Sequence, residues 1–111
     1  MMSITYQQDG IFTIVSMAGR FDAIGTREFK KTISQLLETG KNRIVLDMSH
    51  VNFVDSSGMG ALIGTLRGIT KEGGDMRIFG LTPEVHTIFE LTRLHRIFDI
   101  YETIDAAMAA V

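Results

Sequence analysis

The stretch RIVLDMSHVNFVDSSGMGALIGTLRGI, residues 43–69, decides the fold. Arg43 to Met48 is a short run of β-branched and long aliphatic residues, the pattern of a strand covered on both faces. Val51 to Val54 leads into Asp55-Ser56-Ser57-Gly58, and from there Met59, Leu62, Ile63, Leu66 and Ile69 form one helical stripe. Gly73-Gly74 ends that helix, and Met76 to Phe79 supplies the next strand. Strand, helix and strand in this order make a crossover unit.

The same alternation extends in both directions. Upstream, Ile4 and Tyr6, then Ile11 to Met17, read as two strands separated by Asp9-Gly10, a hairpin signal, so the chain opens on an antiparallel pair. Phe29, Ile33, Leu36 and Leu37 fall at helical spacing, with Thr26 as the expected N-cap and Gly40 as the stop. Downstream, Thr82-Pro83-Glu84 is a helix start: a capping hydroxyl, proline at the first position and an acid in the first turn. Val85, Ile88 and Phe89 supply its buried side, and Phe98 to Tyr101 is a last short strand. Thr103 caps an alanine-rich helix reaching Val111, with Ile104, Ala107, Met108 and Val111 on its buried side. The expected class is α/β: one domain over residues 1–111, with a mixed, mostly parallel sheet of four to five strands and about four helices.

Composition agrees with one globular domain. The chain has 111 residues, 45% hydrophobic and 22% charged, far from the signature of disorder. Lys+Arg 11 against Asp+Glu 13 leaves a net charge of −2, and no basic run gives a reason to approach a phosphate backbone, so no direct nucleic-acid partner is expected. Cysteine is absent, which removes disulfides, thiolate metal sites and cysteine nucleophiles. No apolar stretch reaches the ~18 residues of a membrane span, and Met1 to Gln8 lacks the pattern of a secretory signal, so the expected location is the cytoplasm. Oligomeric state stays open.

Chemistry concentrates at Asp55-Ser56-Ser57-Gly58-Met59-Gly60, where strand becomes helix. One reading is capping alone, since Asp55, Ser56 or Ser57 would each satisfy the first turn. A dinucleotide fingerprint fits poorly. Ile63 occupies the third glycine's place, and the next strand ends at Gly80 where an acid should meet the ribose. A hydrolase elbow lacks the glycine two residues before either serine, where Val54 and Asp55 stand. His50, His86 and His95 nominate no base, and no pair has the i, i+4 spacing of a helical metal site, so neither a metal nor a catalytic set is expected. No Walker sequence with its lysine is present, so no nucleotide cofactor is expected here. The remaining reading is a serine that receives a phosphate. At a helix N-terminus the group meets the positive end of the macrodipole, so the fold survives while the surface gains about −1.5 to −2 charges.

Gly19-Arg20-Phe21-Asp22, Ile44 to Asp47, Val51 to Gly60, Gly73-Gly74 and Leu94-His95-Arg96-Ile97-Phe98 resemble the STAS-domain anti-sigma factor antagonists of bacteria, over nearly the whole chain. The resemblance implies that Ser56 is phosphorylated by a partner that is both a serine/threonine kinase and an anti-sigma factor. It implies that the unmodified form binds this partner and releases a sigma factor, while a PP2C-type phosphatase resets the serine. Carried over by position, Asp22 and Asp55 are the flanking acids, and Ser57, Gly58 and Gly60 are neighbours of the site. Arg20 stands where many relatives place an acid, and Met59 replaces a common leucine. Other members of the family are regulatory subunits of transporters or of other partner-switching systems.

Gly60, Gly64 and Gly68 recur every four residues and share one side of the second helix. Each costs about 0.8–1 kcal/mol relative to alanine in a helix interior. The ridge either packs inside the domain or lets a partner helix come close. Proximity to Ser56 favours partner contact for Gly60, and distance from it favours internal packing for Gly68.

Overall fold

The apolar run from Arg43 forms the central strand of the sheet. In the computed structural model, which describes residues 2–109, the elements follow one another as β1 (Met2–Asp9), β2 (Phe12–Phe21), α1 (Ala23–Glu38), β3 (Arg43–Val54) and α2 (Ser56–Lys71), then β4 (Asp75–Phe79), α3 (Pro83–Leu91), a 3-10 turn (Leu94–Arg96), β5 (Asp99–Tyr101) and α4 (Ile104–Ala109). The strands lie in the order β1-β2-β3-β4-β5, with β1 antiparallel to β2 and every later pair parallel. The mixed α/β sheet is therefore as expected. Val111, expected on the buried side of the last helix, lies outside the described residues.

Alternation along the strands divides the core between two faces. On one face Val15, Leu46 and Ile78 pack with Phe29, Ile33 and Leu36 of α1, Leu62 and Ile69 of α2, and Val85 and Phe89 of α3. On the other, Ile14 and Val45 pack with Ala107 of α4, joined by the half-buried Ile104 and Met108. Arg77 points to that second face. Its guanidinium is buried but matched, donating to the Asp75 carboxylate at 2.8 Å and to the carbonyl of Ala107, and lying over the ring of Phe12.

Local details depart from the sequence reading in four places. The hairpin turn is Gly10-Ile11 rather than Asp9-Gly10: Asp9 pairs with Phe12, and Gly10 takes the positive φ of 61° that the first turn position needs. The N-cap of α1 is Asp22, not Thr26. Asp22 accepts from Gly25 N at 3.1 Å, while Thr26 is buried one turn into the helix with no partner for its hydroxyl among the described residues. A carboxylate at the end of β2 reaches the first turn before the threonine can. The two apolar runs 43–48 and 51–54 are one strand of 12 residues, continuous through Ser49-His50 because β2 accommodates it with register shifts near Ala18 and Gly19.

The fourth departure concerns the glycine ridge. Gly68 does not pack internally: a Cβ at Gly60, Gly64 or Gly68 would meet nothing within 4 Å, and all three are exposed. They form one wall of a groove of about 310 Å³ between α1 and α2, whose other wall includes Lys30, Ile33 and Leu37. Gly58 is the opposite case. A Cβ there would lie 2.6 Å from the Phe21 carbonyl oxygen and 2.8 Å from its ring. Thermal unfolding separates the two environments: Gly64→Ala should stabilise by up to about 1 kcal/mol through helix propensity, and Gly58→Ala should destabilise by about 1–3 kcal/mol through overpacking. A melting temperature lowered by Gly64→Ala would contradict the open groove.

Candidate functional site at the start of α2

Phe21 and Val54 are partners in the β2–β3 ladder, so the residues that follow them, Asp22 and Asp55, leave the sheet side by side. Each then caps a helix in the same way. Both are extended, with φ −109° at Asp22 and −97° at Asp55, and each carboxylate accepts from the amide three residues on: Gly25 N at 3.1 Å and Gly58 N at 3.0 Å. Each main-chain carbonyl accepts the next helical bond, from Thr26 N at 2.8 Å and Met59 N at 3.0 Å. The pattern Asp-x-x-Gly thus occurs twice, at Asp22 to Gly25 and at Asp55 to Gly58. In each, the glycine is demanded by a close approach of backbone: a Cβ at Gly25 would lie 2.8 Å from the Arg20 carbonyl oxygen. Sequence reasoning found the second copy and missed the first, although the identical spacing was there to be matched.

The two turns are joined directly. Asp55 N donates to the Phe21 carbonyl oxygen at 3.2 Å, and Gly58 is buried against the same residue. Gly58 therefore offers no side chain to a partner; it holds the start of α2 against the end of β2. Ser56, the first residue of α2, is exposed, and Ser57 beside it is half-buried. Their amides belong to the first helical turn and have no intrahelical acceptor. Arg20 lies over the ring of Phe53 at 4.0 Å, a cation held just below the turn by the paired strand ends.

The Gly25 amide holds the Asp22 carboxyl below its ordinary value of 3.8, with burial acting the other way. No histidine is engaged with either serine. His50 contacts Ser49 Oγ at 3.1 Å, His86 pairs with Glu90 at 2.8 Å, and His95 contacts the Phe89 carbonyl oxygen at 3.2 Å. The last two line a hollow of about 610 Å³ at the ends of β4 and β5, away from the serines. Among the described residues no group of His, Asp or Glu is placed to hold a metal, and no helix is long and apolar enough to cross a membrane.

This fold and turn have known counterparts. The pattern of the STAS domain family matches residues 3–107, and the chain belongs to that family. A relative from Thermotoga maritima is 36% identical over 84 residues, 75% of this chain and 74% of that one. The anti-sigma F factor antagonist of Paenibacillus polymyxa is 28% identical over 90 residues, covering 80% of this chain and 77% of that one. Among solved structures, the Bacillus cell fate determinant SpoIIAA in its phosphorylated form superposes with a TM-score of 0.72 at 18% identity, over 96% of each chain.

The depressed carboxyl of Asp22 has a pH consequence. A group whose pKa is lowered by folding adds stability above its unfolded value and loses it as pH falls through the folded one. Asp22→Ala should therefore melt below the wild type at neutral pH, and the gap should close as pH falls below 3.8. A gap that stays constant down to the acid limit would mean that the cap does not act through the ionised carboxylate.

Proposed function

We propose that this chain, acting over residues 1–111 as one STAS domain in the cytoplasm, is an anti-sigma factor antagonist gated by phosphorylation of Ser56. The observation that carries the reading is the exposed Ser56 at the first position of α2, beside two carboxylates that already cap adjacent helices. Support comes also from a relative that is an anti-sigma F factor antagonist and from SpoIIAA, a protein of the same fold solved in a phosphorylated form.

The unmodified turn is the binding surface for an anti-sigma factor that is also a serine/threonine kinase, and its capture sets a sigma factor free. In the transfer, Ser56 Oγ attacks the γ-phosphorus of ATP held by the kinase. The bond to the leaving ADP breaks, and the hydroxyl proton passes to a base of the kinase. Phosphoserine then faces Asp22 and Asp55 with about −1.5 to −2 charges, so a partner that buries the patch must desolvate several like charges together. The helix N-terminus accommodates the group, which makes the event a switch of surface and not of fold. A PP2C-type phosphatase adds water across the ester and returns the serine and inorganic phosphate. The chain is a substrate of these enzymes and catalyses neither step.

Two measurements test this. Intact mass of the protein recovered from its host, with fragmentation to place the group, should find a single phosphate on Ser56 in at least one growth condition; modification confined to other residues would count against the switch. In titration calorimetry against the anti-sigma kinase, Ser56→Ala should bind like the unmodified wild type. Ser56→Asp should bind about tenfold or more weakly. Equal affinities would place the interface elsewhere.

A further inference from the structure

The two edges of the sheet are unlike. β5 exposes an edge of only three residues, Asp99–Tyr101, whereas β1 presents the eight residues Met2–Asp9. Natural edge strands are blunted by brevity, lysine, proline or a bulge that twists them away. Met2-Ser3-Ile4-Thr5-Tyr6-Gln7-Gln8-Asp9 contains no lysine, arginine or proline. Its ladder with β2 runs without interruption, the register shifts of the sheet lying instead between β2 and β3. Among the described residues no strand pairs with this edge; Ser3 and Thr5 to Asp9 are exposed, whereas Met2 is buried with its side chain beside Gly25 of α1.

Hydrogen-bond direction along β1 follows from the turn. Asp9 and Phe12 close a two-residue hairpin, so Asp9 bonds toward β2, and by alternation Gln7, Thr5 and Ser3 do the same. Gln8, Tyr6, Ile4 and Met2 therefore turn their N–H and C=O groups outward. The side chains of these same residues lie on the helix-covered face, Ile4 opposite Met17 and Tyr6 opposite Val15. Ile4 packs against the core, while Tyr6 is left 54% exposed.

We infer that β1 is an interface for a second copy of this chain, pairing antiparallel with the other β1 about a twofold axis at Thr5. In that register Ile4 faces the second copy's Tyr6 and Met2 faces its Gln8. Every outward N–H and C=O from Met2 to Gln8 finds a partner, and each exposed Tyr6 ring covers a β-branched neighbour. Moving the axis to Tyr6 leaves Met2 unpaired and sets tyrosine against tyrosine; placing it between residues opposes inward-bonding to outward-bonding positions. Asp9, the one charged side chain of the strand, falls beyond the paired span, so no carboxylate meets its own copy. The result is one continuous sheet. The two β2 strands run in opposite directions across the axis, which puts the two Ser56 turns at opposite ends, both open. Strand pairing alone buries an area at the small end of specific interfaces, so the dimer is concentration-dependent.

Sedimentation equilibrium on the full chain from roughly 10 μM to 1 mM should show a dimer growing in over the upper part of that range. Amide exchange over the same range should gain protection at Ile4, Tyr6 and Gln8, while Thr5 and Gln7, already bonded to β2, keep one protection at all concentrations. Tyr6→Pro removes only an outward donor, at the kind of edge position that tolerates proline, and should yield a folded monomer. Thr5→Pro loses a bond to β2 and should lower the melting temperature. If Tyr6→Pro disturbs the circular dichroism spectrum, Tyr6→Lys serves the same purpose by placing a cation on the edge. A monomer at every concentration, a dimer that persists in the folded Tyr6 variant, or protection gained at Thr5 and Gln7 instead would each overturn the assignment.

Discussion

Phe21 is the residue on which both the sheet and the site depend. Its ring is fully buried and packs on Phe29 of α1 with centroids 5.1 Å apart, which fixes α1 against the sheet. Its carbonyl oxygen accepts from Asp55 N, and the missing side chain of Gly58 lets α2 begin directly over it. One buried residue at the end of β2 thus sets where two helices start, and with them the positions of Asp22, Asp55 and Ser56. Any larger residue at position 58 must push α2 away from Phe21, because the nearest obstacle is a backbone oxygen and not a flexible side-chain end.

The electrostatics of the site follow from that geometry. Two parallel strands deliver two helix N-termini to the same end of the sheet, and each carries a carboxylate on its free amides. The positive helix ends make an additional anion tolerable to the fold, while the neighbouring carboxylates make it costly to cover. Stability and binding therefore respond in different ways to one group, which is the physical requirement for a switch that leaves the domain folded.

The surroundings of the site separate packing from contact among residues that look alike. Gly25 and Gly58 are buried where a backbone oxygen passes close, whereas Gly60, Gly64 and Gly68 line an open groove along α2. On the far side of α1, the sheet ends in β1, whose outward groups are unguarded. The turn at Ser56, the groove and the edge are separate features of one small domain.

The sequence by itself determined the class and order of the elements. The doubly covered run at Arg43 to Met48, the helical stripe from Met59 to Ile69 and the Thr82-Pro83-Glu84 start are local patterns, and local physics is sufficient to read them. It also singled out Asp55 to Gly58, because small polar residues between a strand and a helix leave few other uses. Tertiary structure alone decided which contacts those residues make. Thr26 and Asp22 are both good caps, and only the point at which β2 ends selects Asp22. Five glycines on two helices have the same composition, and only the path of the neighbouring backbone distinguishes the two that must lack a side chain from the three that merely do. The pairing of Phe21 with Val54, more than thirty positions apart in the chain, brings Asp22 beside Asp55. That proximity is a property of strand register, set by how the apolar faces of β2 and β3 share one core, and no window along the chain contains it.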